Sequence, residues 1–364
     1  MIYLAGIDTL HVGFYLKEIT LSEEAWNDLI NAKEQAKAPV FQSAGFFLEF
    51  QGIDFIVLPA GKKPYTFILC NQDYTVKLAR QVSHGHFPEI YIEFRSQLLW
   101  RLGYKHTFNF IKEWVSTWTK IRDDVVSRAD LAVDVQGFPQ IEIQDIVSRA
   151  RKGNQHFQLV PVQQGQIYYY GSTILGWVFG SDPLMLRIYD KRKECRQVRK
   201  EWFEHLWEKG GWNGTSDITR IEFQLRRGFL KDFNVTTFQS FEESLGDIYR
   251  YLTQDWFTVR IQQGNNRSRW PISPFWAEVQ SALDQFGKIF GLARGKIKDE
   301  KCRNLMPQAA GVFTSLAAAG DYEGIFETLY VLNAYLRSKG QTFEEIVSEK
   351  RQKLTFFEDG YEPF

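Results

Sequence analysis

Segments whose polar and apolar residues alternate with period two constrain this chain more than any other feature. GFFLEF, DFIVL, YTFILC, EIYIEFRS, RADLAVDV, QIYYYGS, LMLRIYDK and ITRIEFQLRR are rich in aromatic and β-branched residues, which suit a pleated, half-buried surface. Alternation turns successive side chains to opposite faces, so each run predicts a strand with distinct faces. Helical patterns lie between them at Ser22–Lys37, Asn109–Lys120, Ile143–Lys152 and Arg192–Trp207. Ser22 takes the N-cap position of the first, without a capping box. The mixture predicts an α+β chain of antiparallel sheets with helices packed on one face.

The order of these elements repeats. A strand-like opening, Ile2–Tyr15, leads into a helix, extended runs and a second helix, and after Val125 the series begins again. Asp8 in GIDTL takes the place of Asp130 in RADLA, and Glu93 in YIEFR that of Glu222 in RIEFQ. Each half reads roughly β-α-β-β-β-α, close to the ferredoxin-like split βαβ plan. An N-terminal α+β lobe is therefore expected over residues 1–122 and a second over 123–264. Beyond the polar connection Asn265–Pro274 the strand patterns stop, and 275–364 is expected to be helical. Its helices fall at Gln308–Ala319 and Tyr322–Lys339, the latter ending at Gly340, a residue suited to the C′ position.

Composition excludes several classes. Forty-four lysines and arginines balance 44 acidic residues in 364, which rules out a globally basic nucleic-acid coat but not local patches. One patch gathers Arg187, Lys191, Arg192, Lys193, Arg196, Arg199 and Lys200, and another runs from Lys288 to Arg303. Such clusters fit a polyanion on one face, although a solvated helix face explains each alone equally well. Trp202, Trp207 and Trp212 beside the first patch, and Arg267-Ser268-Arg269-Trp270, combine rings and cations as single-strand binders do. Cys70, Cys195 and Cys302 are too few and too far apart for a disulfide scaffold or a paired-cysteine zinc site, and fit a reducing cytoplasm. No apolar run approaches the ~18 residues of a membrane helix, and the opening lacks the basic region of a secretory signal. Neither nucleotide-binding glycine motif is present.

Three runs carry charge on one face. Alternation groups Asp130, Ala132 and Asp134; Arg220, Glu222, Gln224 and Arg226; and Arg187, Tyr189 and Lys191. If the faces coincide, carboxylates suited to Mg²⁺ or Mn²⁺ stand beside cations able to hold phosphate. The plainer alternative is a solvated sheet face on which Glu and Arg pair across strands. His84-Gly85-His86 reads as a turn before EIYIEFRS rather than as a metal-binding pair, because glycine separates the histidines and Phe87-Pro88 follow.

The ordered series SRADLAVDVQG, YYYGS, LMLRIYDK and TRIEFQLRR, within Tyr65–Trp276, resembles the replication initiation factor family, whose members start rolling-circle replication of plasmids, filamentous phages and integrative elements. The resemblance implies an HUH-endonuclease-like nickase on ferredoxin-like sheets, which cuts one strand with a tyrosine and keeps the 5′ phosphate. It places Asp130 and Glu222, with Asp134, at the metal, and matches Tyr189 and Lys191 to the family's tyrosine and lysine and Gly171-Ser172 to its turn. Ile221 stands where plasmid-type members carry the nucleophilic tyrosine. The nucleophile is therefore expected at Tyr189, where Arg187 and Lys191 are expected to ease phenolate formation, with Tyr168, Tyr169 and Tyr170 in reserve. DNA contacts are expected from Arg187, Arg192, Lys193, Arg196, Lys200, Arg220, Arg226, Arg267 and Arg269. The implied partners are duplex origin DNA, the single-stranded nick site, and a host helicase and polymerase, with no membrane. A non-catalytic, sequence-specific DNA-binding protein of the same fold is the alternative.

Overall fold

Two long antiparallel strands, β1 (Ile2–Glu18) and β7 (Lys120–Gln136), form the centre of the structure, a computed structural model. It describes residues 1–41, 44–83, 85–139, 141, 145–148, 165–170, 173–265, 269–285, 306 and 309–348, with backbone only at 165–170, 173–175 and 285. From β1 the sheet continues through β6 (Ile90–Phe94), β5 (Tyr74–Leu78), β4 (Phe67–Cys70), β3 (Ile53–Val57) and β2 (Phe46–Phe50). From β7 it continues through β12 (Ile218–Arg226), β11 (Leu184–Asp190), β10 (Thr173–Ser181) and β9 (Gly165–Tyr170). Among the described residues, the sheets expected in two lobes are thus one antiparallel sheet of 11 strands, because β1 and β7 each pair along both edges. Strands β5 and β10 add to those that alternation predicts.

The apolar face forms the main core. Leu10, Val12, Leu131, Val133, Ile188, Ile221 and Phe223 are buried there, beneath α1 (Glu23–Ala36), α3 (Tyr104–Trp118), α6 (Arg227–Asp232), α7 (Phe238–Arg250) and α8 (Pro274–Ser281). Ser22 caps α1 as expected, its hydroxyl accepting from the Ala25 amide at 3.1 Å. Residues 146–148, inside the run read as a helix, instead form strand β8 (Ile146–Ser148), paired with β13 (Phe257–Val259) in a small second sheet. Ile146 is buried by that pairing.

Helices cover both faces rather than one. The polar face is roofed at one end by α4 (Lys191–Gln197), α5 (Trp202–Lys209) and Trp100 of α2 (Ser96–Leu102), which bury Leu4, Ala132 and Ile218. The single helix expected over Arg192–Trp207 is interrupted near Arg199, whose φ is +56°. Asp190 closes β11 by accepting the Lys193 amide at 2.9 Å as N-cap of α4, so Lys191 leaves the strand's alternation. C-terminal helices span 309–319 (α9) and Ile325–Ser338 (α10), and Gly340 follows with φ +72°. Among the described residues no helix is long and apolar enough to cross a membrane.

Candidate functional site

Adjacent strands β7, β12 and β11 bring part of the expected site together. Glu222 stands opposite Arg187, and Asp130 opposite Gln224. Arg187 donates from Nη1 to Glu222 Oε1 at 3.0 Å and from Nη2 to Gln224 Oε1 at 2.5 Å. Tyr189 Oη donates to Glu222 Oε2 at 2.9 Å. Arg128 grips Asp130 with Nε and Nη2 at 2.9 and 2.5 Å. Glycine is required opposite the tyrosine: a Cβ on Gly176 falls 2.5 Å from the Ile188 carbonyl oxygen and 2.8 Å from Tyr189 Cβ.

The electrostatics follow from burial and pairing. Desolvation, with Glu222 nearby and against the pull of Arg128, pushes the Asp130 carboxyl up to about 6. Burial, reinforced by the Glu222 charge, raises Tyr189 well above the ordinary phenol value. The cations do not ease its ionisation as expected, because Arg187 is turned to Glu222 and Gln224. Among the described residues no group of three or more His, Cys, Asp or Glu gathers as a metal site. Asp130 and Glu222 are diagonal neighbours on adjacent strands. As two hard carboxylates they suit a cation such as Mg²⁺, which keeps several waters and shares phosphate oxygens.

Asp134 and Arg220 lie elsewhere. Arg220 is completely buried, where Nε and Nη2 donate to the two oxygens of Asp134 at 2.6 and 2.7 Å and Nη1 to Asp8 Oδ1 at 2.7 Å. Trp207 Nε1 also donates to Asp134 at 2.7 Å, and Trp100 Nε1 and the Ser96 hydroxyl donate to Asp8 at 2.7 and 2.8 Å. Arg220 and Trp207, the partners of Asp134, are fully buried beneath the helices, whereas Arg128 and Arg187, the partners of Asp130 and Glu222, keep partial exposure. Asp134 is therefore not placed to be a metal ligand. Arg220 is a strut between β1, β7 and β12 rather than a DNA contact.

Lys191 is buried too, its ammonium 2.7 Å from Glu194 Oε2 and 4.6 Å from the centre of the Phe203 ring. Arg192 donates to the carbonyls of Gly214 and Thr215. Lys193 pairs with Asp190 at 3.2 Å and Lys200 with Glu194 at 3.8 Å; Arg196, Arg226 and Arg269 are exposed. Trp202, Trp207, Trp212 and Trp270 are core residues, not an exposed stacking platform. Arg267, Gly171-Ser172 and His84 lie outside the described residues, as do the side chains of Tyr168, Tyr169 and Tyr170. Alternation also places two overlooked residues on this face: Arg128, two residues before Asp130, and Tyr91 of EIYIEFRS, which with Glu93 meets His11 of β1.

No protein-family model matches the chain, and no curated protein does. One solved structure similar to it is a rolling circle replication initiator protein from Geobacillus stearothermophilus, at 17% identity and a TM-score of 0.41. The match covers 77% of this chain and 96% of that one.

Proposed function

We propose that this chain initiates rolling-circle replication, binding origin DNA and nicking and rejoining one strand through a tyrosine. The observation that carries the proposal is the convergence of Asp130, Glu222, Arg128 and Arg187 on one face of three adjacent strands, the runs RADLAVD, RIEFQLR and LMLRIYDK of the sequence resemblance. Arg128, Arg187 and Arg226 supply forked donors for phosphate oxygens. Asp130 and Glu222 hold Mg²⁺ or Mn²⁺, which when bound polarises the scissile phosphate. Tyr189, fixed by Glu222, orients that carboxylate. The outward strand orders from β1 and β7 fit duplication of one unit, 1–122 and 123–264, with 275–364 as a helical appendage. Host helicase and polymerase, which extend the free 3′ end, belong to the same proposal.

Incubating supercoiled DNA that carries the gene and its flanks with the protein and Mn²⁺ tests this reading. Open circles bearing covalently attached protein are expected, and their absence overturns the nickase. The arginine already paired with each carboxylate favours one other reading, a non-catalytic DNA-binding protein. Binding to the same DNA without cleavage selects it.

A further inference from the structure

A row of side chains crosses the polar face on four adjacent strands. Glu93 on β6 stands opposite His11 on β1, His11 opposite Arg128 on β7, and Arg128 opposite Arg226 on β12. Strands lie ~4.8 Å apart, so the row spans about 14 Å. Tyr91 shares the face of Glu93 and turns its hydroxyl onto the row, 3.2 Å from His11 Nδ1. The two rings meet edge to face at 5.9 Å. Ser127 also bonds the Tyr91 hydroxyl. It is the extra residue of a β-bulge, since His11 faces Arg128 while Val12 faces Val126; bulges re-aim side chains and concentrate beside active sites. Lys77 lies 5.3 Å from the Tyr91 ring centre and pairs with Glu93, whose carboxylate is 3.9 Å from His11 Nδ1.

We infer that Tyr91 is the tyrosine that attacks phosphorus, with His11 as the base that takes its proton. The inference rests on the nicking activity proposed above. A base within hydrogen-bond reach activates a weak hydroxyl nucleophile, and His11 Nδ1 stands 3.2 Å from the Tyr91 hydroxyl. Burial, with Arg128, Lys77 and Arg226 acting against Glu93, lowers His11 to about 4. It is therefore neutral at pH 7, and with its proton on Nε2 it offers the Nδ1 lone pair to the hydroxyl. Tyr91 and Tyr189 are both raised by burial, so neither is a phenolate at rest and the attacking residue needs a base. Tyr189 donates its hydroxyl hydrogen bond to a carboxylate committed to Arg187. Tyr91 has an imidazole. Arg128 joins the two clusters by gripping Asp130 from a position beside His11, so a phosphate seated on Arg128 and Arg226 lies between the Tyr91 hydroxyl and the carboxylate pair.

In the step, Tyr91 Oη forms a bond to the phosphorus of a DNA phosphodiester as the bond from phosphorus to the 3′ oxygen breaks. The phenol proton passes to His11 Nδ1 and from there to the departing 3′ oxygen. The products are a tyrosine–5′-phosphodiester and a free 3′ hydroxyl, and the reverse sequence reseals the strand.

Peptide mapping of the covalent adduct formed on supercoiled DNA carrying the gene and its flanks, with Mn²⁺, decides the assignment. Phosphotyrosine is expected on Tyr91. Tyr91→Phe should abolish the adduct while leaving the melting temperature and DNA binding near those of the parent. His11→Ala should slow adduct formation by about 10²-fold, within the range for loss of a general base, and added imidazole should restore part of the rate. Phosphotyrosine on Tyr189 or any other residue overturns the inference but leaves the nickase standing. A His11→Ala rate that is unchanged, or that imidazole does not raise, overturns the role of the base. No adduct from the unsubstituted protein overturns the nickase, and this assignment with it.

Discussion

Replacing Arg220 with leucine tests whether this residue serves the fold or the DNA. Its side chain is fully buried and holds Asp134 and Asp8 through three hydrogen bonds of 2.6–2.7 Å. Leucine leaves both carboxylates facing Trp100, Phe203 and Trp207, with one indole donor each and the Ser96 hydroxyl still on Asp8. Removing one member of a buried ion pair costs about 3–5 kcal/mol, and the surviving indole bonds place the loss near the lower end, about 3–4 kcal/mol. At roughly 2–4 °C per kcal/mol the melting temperature should fall by about 6–16 °C. The deficit should depend on pH. Burial opposes ionisation of Asp8, but Arg220, then Lys191 and Trp100, outweigh it and hold the carboxyl well below its usual range. A depressed carboxyl adds stability that is present above its unfolded value of ~3.9 and is lost only as pH falls through the folded value. Without Arg220, burial dominates and the folded value rises above the unfolded one, so the variant gains stability as pH falls. The gap from the parent should be widest at pH 7–8 and narrow toward pH 4–5. Urea unfolding followed by tryptophan fluorescence at pH 5 and pH 8 measures both effects. Asp8→Asn and Asp134→Asn in the leucine background should recover part of the loss. A deficit under ~1 kcal/mol, or one equal at the two pH values, refutes the reasoning. So does an unchanged melting temperature with a flattened salt dependence of DNA binding, the signature of a phosphate contact.

Three other outcomes follow from the proposed nickase. Glu222→Ala should abolish nicking while sparing DNA binding, because a metal-holding carboxylate serves the transition state more than the ground state; parallel nicking and filter-binding assays check this. Tyr189→Phe removes one hydroxyl bond to Glu222 and should slow nicking by roughly 10-fold, as expected for about 1–1.5 kcal/mol, as initial rates on supercoiled DNA will show. Replacing Lys193, Arg196 and Lys200 together by alanine should reduce the slope of log K against log salt by about 2–3, at roughly 0.7–0.9 per phosphate contact. An unchanged slope assigns these side chains to solvent.

Alternation within a run is a local property, and it placed Asp130 with Asp134, Glu222 with Arg220, and Tyr189 with Arg187 on shared faces without any knowledge of neighbours. The Ser22 cap and the stop at Gly340 are equally local, each set by one side chain or one backbone angle. What alternation leaves open is which strands pair and which end of a face is roofed. Pairing of β1 with β7 joins residues more than a hundred positions apart and brings His11 to Arg128, and together with the pairing of β7 with β12 it brings Asp8 to Arg220. Docking of α4 and α5 over one end of the polar face turned Arg220, Asp134 and Lys191 inward, while Arg187 and Arg128, on the same face farther along, kept partial access to water. The stretch read as a helix near Ile146 became a strand because Phe257–Val259 arrived to pair with it. The sequence by itself determined the faces; long-range pairing and helix docking decided which charges became struts and which could meet a substrate, since burial depends on what packs above a residue and not on the residues beside it in the chain.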